Sequence, residues 1–298
     1  MKRYQNMWRQ TLRLRGGPLV LQPRGAVVVP RRDERGVATL VRMMLLCAAA
    51  LLTLLPIANA HASSVTWTRQ FGTSRLDSAT DIDVHSTGVY VAGHTAGALP
   101  GQTNQGSDDA FLRKYNSAGG IVWTRQFGSS GSDKAHSVAV NSTGIYVVGQ
   151  VHGRLPGQTN QGNVDAFVRK YNLNGGHVWT RQFGSSNIDI AWDLDVDATG
   201  LYVAGHTAGT LPGQSKKGWD DAFVRKYSFT GSAIWTHQFG SSSGDYALDI
   251  IANSTGVYVA GTVGGALPGK TSAGGKDAFV RKYNSKGGVV WTHQFGSS

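Results

Sequence analysis

The chain has one cysteine, Cys47, in 298 residues. Beyond that position no disulfide framework, thiol nucleophile or thiolate metal site can be built. Glutamate ends at Glu34, so carboxylate chemistry further along falls to aspartate alone. No segment sustains a 3.6-residue apolar period, which argues against a helical architecture. The sequence also lacks an H-E-x-x-H helix, a G-x-S-x-G elbow and a phosphate-binding P-loop. Against these absences stand 40 glycines, 8 Trp, 10 Tyr and 10 Phe, in a chain that is 40% hydrophobic and only 16% charged. That composition is too apolar for disorder, too rich in glycine for helices and aromatic enough to fill a core with many turns. An all-β fold is expected.

The net charge of +11 invites a nucleic-acid or membrane partner until it is divided along the chain. Residues 1–62 hold 10 Lys/Arg against 2 acids, which leaves 19 against 16 for the remainder. The excess belongs mostly to the leader, and no phosphate-tracking stripe is expected in the folded part, hence no nucleic-acid partner. Within the leader, the apolar run from Met43 to Ile57 follows Arg42, precedes small residues and falls short of the ~20 residues a membrane span needs. Residues 1–62 therefore read as an export leader, with a signal peptide at about 41–62 cleaved after Ala60 or Ala62. Residues 1–40 read as an over-long start. The product is expected to be secreted, periplasmic or on the cell surface, with no stable membrane span after processing.

Residues 63–298 are organised by repetition. Trp-Thr begins at Trp67, Trp123, Trp179, Trp235 and Trp291, each 56 residues after the last. Asp-Ala-Phe opens the same block at Asp109, Asp165, Asp221 and Asp277. Four short β-like runs, here strands a to d, fall in each repeat between turn residues. In the first repeat they are Asp81–Val84, Val89–Gly93, Ala110–Tyr115 and Ile121–Phe127. The repeats run at about 67–122, 123–178, 179–234 and 235–290, with a partial copy at 291–298. Four antiparallel strands in a fixed period describe a β-propeller blade.

The run Asp165-Ala-Phe-Val-Arg-Lys-Tyr-Asn, followed by Val178-Trp-Thr-Arg-Gln-Phe-Gly and then Val196-Asp-Ala-Thr-Gly-Leu-Tyr-Val-Ala-Gly205, resembles the bacterial beta-propeller repeat called SBBP. The resemblance spans nearly all of residues 64–298. It implies an exported or surface propeller, commonly of about seven blades, with no chemistry attached.

Strand counting leaves the closure open. A lone d strand, Val65–Phe71, precedes four complete units, so two d strands compete for one outer place. An incomplete arc, a closed four-bladed ring with a spare strand, and completion by a second chain through open blade edges all remain.

Among candidate site residues, Asp77, Asp133, Asp189 and Asp245 recur after a Gly-Ser/Thr-Ser turn. As metal ligands they are weak, because one carboxylate per blade is too scattered for a calcium cage; as turn residues they bond nearby backbone N–H groups. The run Asp193-Leu-Asp-Val-Asp-Ala-Thr-Gly200 has the spacing of a calcium loop, but its copies lack the aspartates and it reads as a strand entering a turn. Arg113, Arg169, Arg225 and Arg281 share a face with Asp109, Asp165, Asp221 and Asp277 and are expected to stack on aromatic rings or pair with aspartate. The five tryptophans are expected to be structural, between blades or over outer strands. The histidines form no metal constellation.

No catalytic or cofactor-binding residue and no cofactor is indicated. The expectation is a non-catalytic exported β-propeller repeat protein, a binding or structural scaffold. A protein or carbohydrate ligand is expected on the face where the long b-to-c loops and d-to-a links emerge. The alternative is a propeller-fold enzyme of hydrolase or quinone-dependent oxidoreductase type, with its site on the same face.

Overall fold

The computed structural model describes residues 66–297; the leader assigned to residues 1–62 lies outside them. The described residues form sixteen strands in four antiparallel sheets, and no helix. The first sheet is β1 (Asp77–His85), β2 (Gly88–Thr95), β3 (Asp109–Tyr115) and β4 (Ile121–Phe127), paired in chain order. The second repeats it with β5 (Asp133–Asn141), β6 (Gly144–Val151), β7 (Asp165–Tyr171) and β8 (His177–Phe183). The third holds β9 (Asp189–Asp197), β10 (Gly200–Thr207), β11 (Asp221–Tyr227) and β12 (Ala233–Phe239). The fourth holds β13 (Asp245–Asn253), β14 (Gly256–Val263), β15 (Asp277–Tyr283) and β16 (Val289–Phe295). The architecture is propeller-like. Strands a and b are longer than their apolar cores suggest, because the flanking aspartates and glycines join the ladder.

Each sheet is thin and apolar on both faces, so its core lies between sheets. Tyr90, Ala92 and Leu112 of the first pack against Val138, Ile145 and Val147 of the second. Val148 and Phe183 meet Leu194 and Val203 across the next junction, and Val224 and Phe239 meet Ile250 and Val259 across the third. Strand a of each sheet lies against strand a of the next, which places these strands innermost. At the long-loop end the sheets are stitched by short parallel bridges, in which the N–H groups of Asp133, Asp189 and Asp245 donate to Asp108, Val164 and Asp220.

Trp123, Trp179 and Trp235 lie across these junctions. Trp179 Nε1 donates to Phe229 O at 3.1 Å, and its ring lies over Gly231 in the c-to-d turn of the following sheet. That glycine has φ +84°, and a Cβ there would stand 2.9 Å from the indole; both the backbone and the space demand glycine. Trp67 does the same to Ser117 O and Gly119.

The closed-ring alternative does not form, and one expected strand is absent among the described residues. The four sheets do not close into a ring, since strand packing runs from first to second to third to fourth and no further. The N-terminal strand is also not a strand: its described part, Thr66–Phe71, has no ladder partner. A β-strand exists only where another supplies hydrogen bonds. This segment is held by side chains instead. Phe71 meets Phe111 edge-on at 5.5 Å, Arg113 lies over Phe71 at 3.9 Å, and Arg69 Nε donates to Gly119 O at 2.7 Å.

Candidate functional site

The recurring aspartates serve the loops. Asp133 Oδ1 and Oδ2 accept from Ser129 and His152, and Asp77, Asp189 and Asp245 take the N–H groups of Thr73, Ser185 and Ser241 at 2.6, 2.6 and 2.7 Å. Burial raises the pKa of Asp133, Asp189 and Asp245. Asp109, Asp165, Asp221 and Asp277 open strand c and each accept from the side-chain amide of Gln126, Gln182, Gln238 or Gln294. Those glutamines also take the N–H groups of Leu99, Leu155, Leu211 and Leu267, which clamps the long loops onto the sheets. Arg113, Arg169, Arg225 and Arg281 stack on Phe71, Phe127, Phe183 and Phe239 of the preceding repeat. The aspartate-pairing alternative is not what forms: the one ion pair among the described residues joins Lys134 and Asp108 at 4.0 Å.

The run from Asp193 to Gly200 is strand β9 entering a turn, and Asp197 Oδ1 accepts from Thr199 N and Gly200 N. Asp193 and Asp195 reach across to the next strand a, where they accept from Ile250 N and Ala252 N at 2.9 Å. Asp81 and Asp83 do the same for Val138 N and Val140 N. Burial, then the neighbouring Asp249 carboxyl, pushes the Asp193 pKa well up.

A second group of side chains gathers at the long-loop end of the inner strands. The a–b pairing of every sheet skips one residue: Thr80, His136, Trp192 and Leu248. A β-bulge of this kind bends the strand and re-aims a side chain. The residue two before it is Ser78, Lys134, Ile190 or Tyr246, and strand b brings His94, Gln150, His206 or Thr262 alongside. These side chains link into a chain across three sheets. His136 Nε2 and Gln150 Oε1 are 3.2 Å apart, and the His136 ring lies 4.7 Å from Trp192. Trp192 Nε1 donates to His206 Nδ1 at 2.9 Å; the His206 ring meets Tyr246 at 4.7 Å; Tyr246 Oη donates to Asp220 at 2.6 Å. Burial holds His136 and His206 down at about 4, so both are neutral at pH 7. With Nδ1 of His206 accepting, its proton sits on Nε2. His94 is buried with Nδ1 unpartnered, and burial lowers its pKa as well.

Neutral imidazoles, an indole, a phenol and an amide stack on and hydrogen-bond to polar ligands without demanding a charge. Among the described residues no three His, Cys, Asp or Glu side chains converge as a metal-ligand set. In the adjoining long loop, Trp219 is 79% exposed.

Sequence reasoning found no metal constellation among the histidines and did not single out His136, whose copies Thr80, Trp192 and Leu248 share no chemistry with it. All four copies disagree at Ser78/Lys134/Ile190/Tyr246, at Thr80/His136/Trp192/Leu248 and at Ser107/Asn163/Trp219/Gly275. These three positions lie at the long-loop end; at the opposite end the copies also all disagree, at Ala118/Asn174/Thr230/Lys286 and at Ile121/His177/Ala233/Val289.

No family model matches the chain. It is 31% identical over 195 residues to a protein of Caulobacter vibrioides named "Regulatory protein FlaEY", an alignment covering 57% of this chain and 20% of that protein. The match thus spans about a fifth of the relative's length. Among solved structures, a protein of unknown function from Bacteroides caccae superposes with a TM-score of 0.35 at 9% identity, covering 74% of this chain and 82% of the other. Among the described residues no helix is long and apolar enough to cross a membrane.

Proposed function

We propose that the chain is a non-catalytic, exported or cell-surface repeat scaffold of the SBBP type that binds an uncharged polar ligand, such as a sugar chain, on its long-loop face. The observation carrying this reading is the gathering of the neutral His136, Trp192, His206 and Tyr246 side chains at the long-loop end of the inner strands. Loops and strand ends on a rigid scaffold are the usual place for recognition. The neutral His136, Trp192, His206 and Tyr246 chain suits stacking and hydrogen bonding.

Against the enzyme alternative, Asp81, Asp193 and Asp195 are committed to backbone N–H groups of the next sheet, and the cavity between the second and third sheets lies elsewhere with no carboxylate in its lining. The relative's name, a regulatory protein, specifies no reaction.

The test is binding of the purified chain to a polysaccharide array and to envelope fractions. Trp192→Ala and Trp219→Ala should abolish binding, and Lys286→Ala, in a c-to-d turn at the opposite end, should leave it intact. Equal loss in all three variants would defeat the face assignment. Retention of only protein components would redirect it to a protein partner, and turnover of a bound polymer would overturn the non-catalytic reading.

A further inference from the structure

The junction between the second and third sheets contains a cavity of about 300 Å³ lined by Arg181, Phe183, Arg225, Tyr227, Ser232 and Ala233, among others. Its origin is legible in the repeats. The residue that opens strand d is Ile121, His177, Ala233 or Val289, so the third sheet has the smallest side chain there. Arg181, which lines the same cavity, has Arg69, Arg125 and His237 as its copies in the other repeats. Only this junction combines two arginines with an alanine.

The polar groups around the cavity are under-used. Arg113 and Arg281 donate Nε to Thr124 Oγ1 and Thr292 Oγ1, each at 2.9 Å. Their counterpart Arg225 has a buried Nε with no hydrogen-bond partner. Its guanidinium stacks instead, with Cζ 4.7 Å from the Phe183 ring and 5.2 Å from the Tyr227 ring. A stacked guanidinium keeps its in-plane N–H edge for an acceptor. Arg181 commits Nε to Gly231 O and Nη1 to Thr180 O, at 2.8 and 2.9 Å, which leaves Nη2. The Tyr227 hydroxyl is buried, 2% exposed as a residue, and also unpartnered. Burial pushes its pKa up against the pull of Arg225 and Arg181, so the phenol keeps its proton as a donor. Neither arginine has an acidic partner, since the one ion pair among the described residues is elsewhere. Two cations and a hydroxyl therefore share a partly enclosed space without a counter-charge, with Arg225 Nε and the Tyr227 hydroxyl unsatisfied, an arrangement that an anion relieves.

We infer that this junction is a binding site for a compact oxyanion, a carboxylate or phosphate group, held by the free edges of Arg225 and Arg181 and by the Tyr227 hydroxyl. It lies at the c-to-d turn end of the sheets, opposite the long-loop face, and is independent of the function proposed above. The group arrives either as a free ion or as the acid of a larger molecule such as an acidic sugar.

The experiment is calorimetric titration of the full chain at low ionic strength and about pH 8, where an added imidazole is neutral. Inorganic phosphate, acetate and glucuronate are the probes. At least one should bind saturably with Kd about 1 mM or tighter. Ala233→His, which copies the residue already present in the second sheet, should weaken that binding at least about tenfold without changing the circular dichroism spectrum. Arg225→Gln should weaken it similarly. Tighter binding of glucuronate than of acetate assigns the site to an acidic sugar, and the reverse order, or phosphate tightest, to a free ion. No saturable binding by any probe, or binding that survives both substitutions, overturns the site.

Discussion

The junctions inside the molecule and the faces at its two ends are made of the same residues in different surroundings. Phe239 at the third junction is 8% exposed, and its copy Phe295 on the fourth sheet is 58% exposed. Ile250 is fully buried, and its copy Ile82 on the first sheet is 37% exposed. The difference comes from whether a neighbouring sheet is present, because no blade has a core of its own. Stability here is a sum of junctions, as in other repeat architectures. The Thr66–Phe71 segment is instructive as an intermediate case. It covers Phe111 and Tyr115, which stay buried, yet leaves strand β1 without a fully buried residue.

The sharpest contrast is expected from matched substitutions. Phe183→Ala empties a packed junction and should cost about 3 to 5 kcal/mol in urea unfolding, and Trp179→Ala a similar amount. Phe295→Ala should cost under about 0.5 kcal/mol, since its ring is already in water. Deleting residues 66–73 should come next, lowering stability by about 2 to 3 kcal/mol through exposure of the Phe111 and Tyr115 rings. No change in melting temperature would mean that this segment covers nothing of consequence.

A smaller effect separates one internal junction from another. Asp81 and Asp83 accept backbone N–H groups across the first junction, and Asp193 and Asp195 across the third, whereas Ser137 and Ala139 stand at those places facing the second. Asp83→Ala makes the first junction resemble the second and should cost about 1 to 2 kcal/mol by leaving Val140 N unsatisfied.

The smallest effect at neutral pH concerns the inner histidines. Their pKa is about 6.5 in the unfolded chain and about 4 in the native state. As pH falls from 6.5 to 4, the unfolded chain binds protons that the native state refuses, so these groups lose stability with acidification. His136→Gln and His206→Gln should match the parent at pH 7 and lose less on acidification. The buried Asp133, Asp189 and Asp245, with raised pKa values, act with the opposite sign but equally in parent and variants. Thermal melts at pH 7, 6 and 5 read the difference.

The fold was legible in the sequence because its period is unbroken: Trp67 to Trp291 marked the sheets, and turn glycines marked the strand ends. The N-terminal strand was misread because strand character was assigned from residues alone, and the Thr66–Phe71 segment lacks a pairing partner. The inner cluster was hidden for two physical reasons. The bulge at His136 and Trp192 depends on pairing register, which no local residue announces, and a search for what copies share discards positions where they differ. The arginine cavity was likewise invisible, because it arises from one missing side chain at Ala233 across a junction between repeats.

Native-state hydrogen exchange on the full chain tests most directly whether the sheets depend on neighbours and stay open at both ends. Amides of β14 and β15 should exchange at least about tenfold faster than their copies in β6 and β7, because the fourth sheet is covered on one face only. Equal protection of all four sheets would contradict the account, since only a closed ring or a covered end buries the first and fourth as deeply as the second and third.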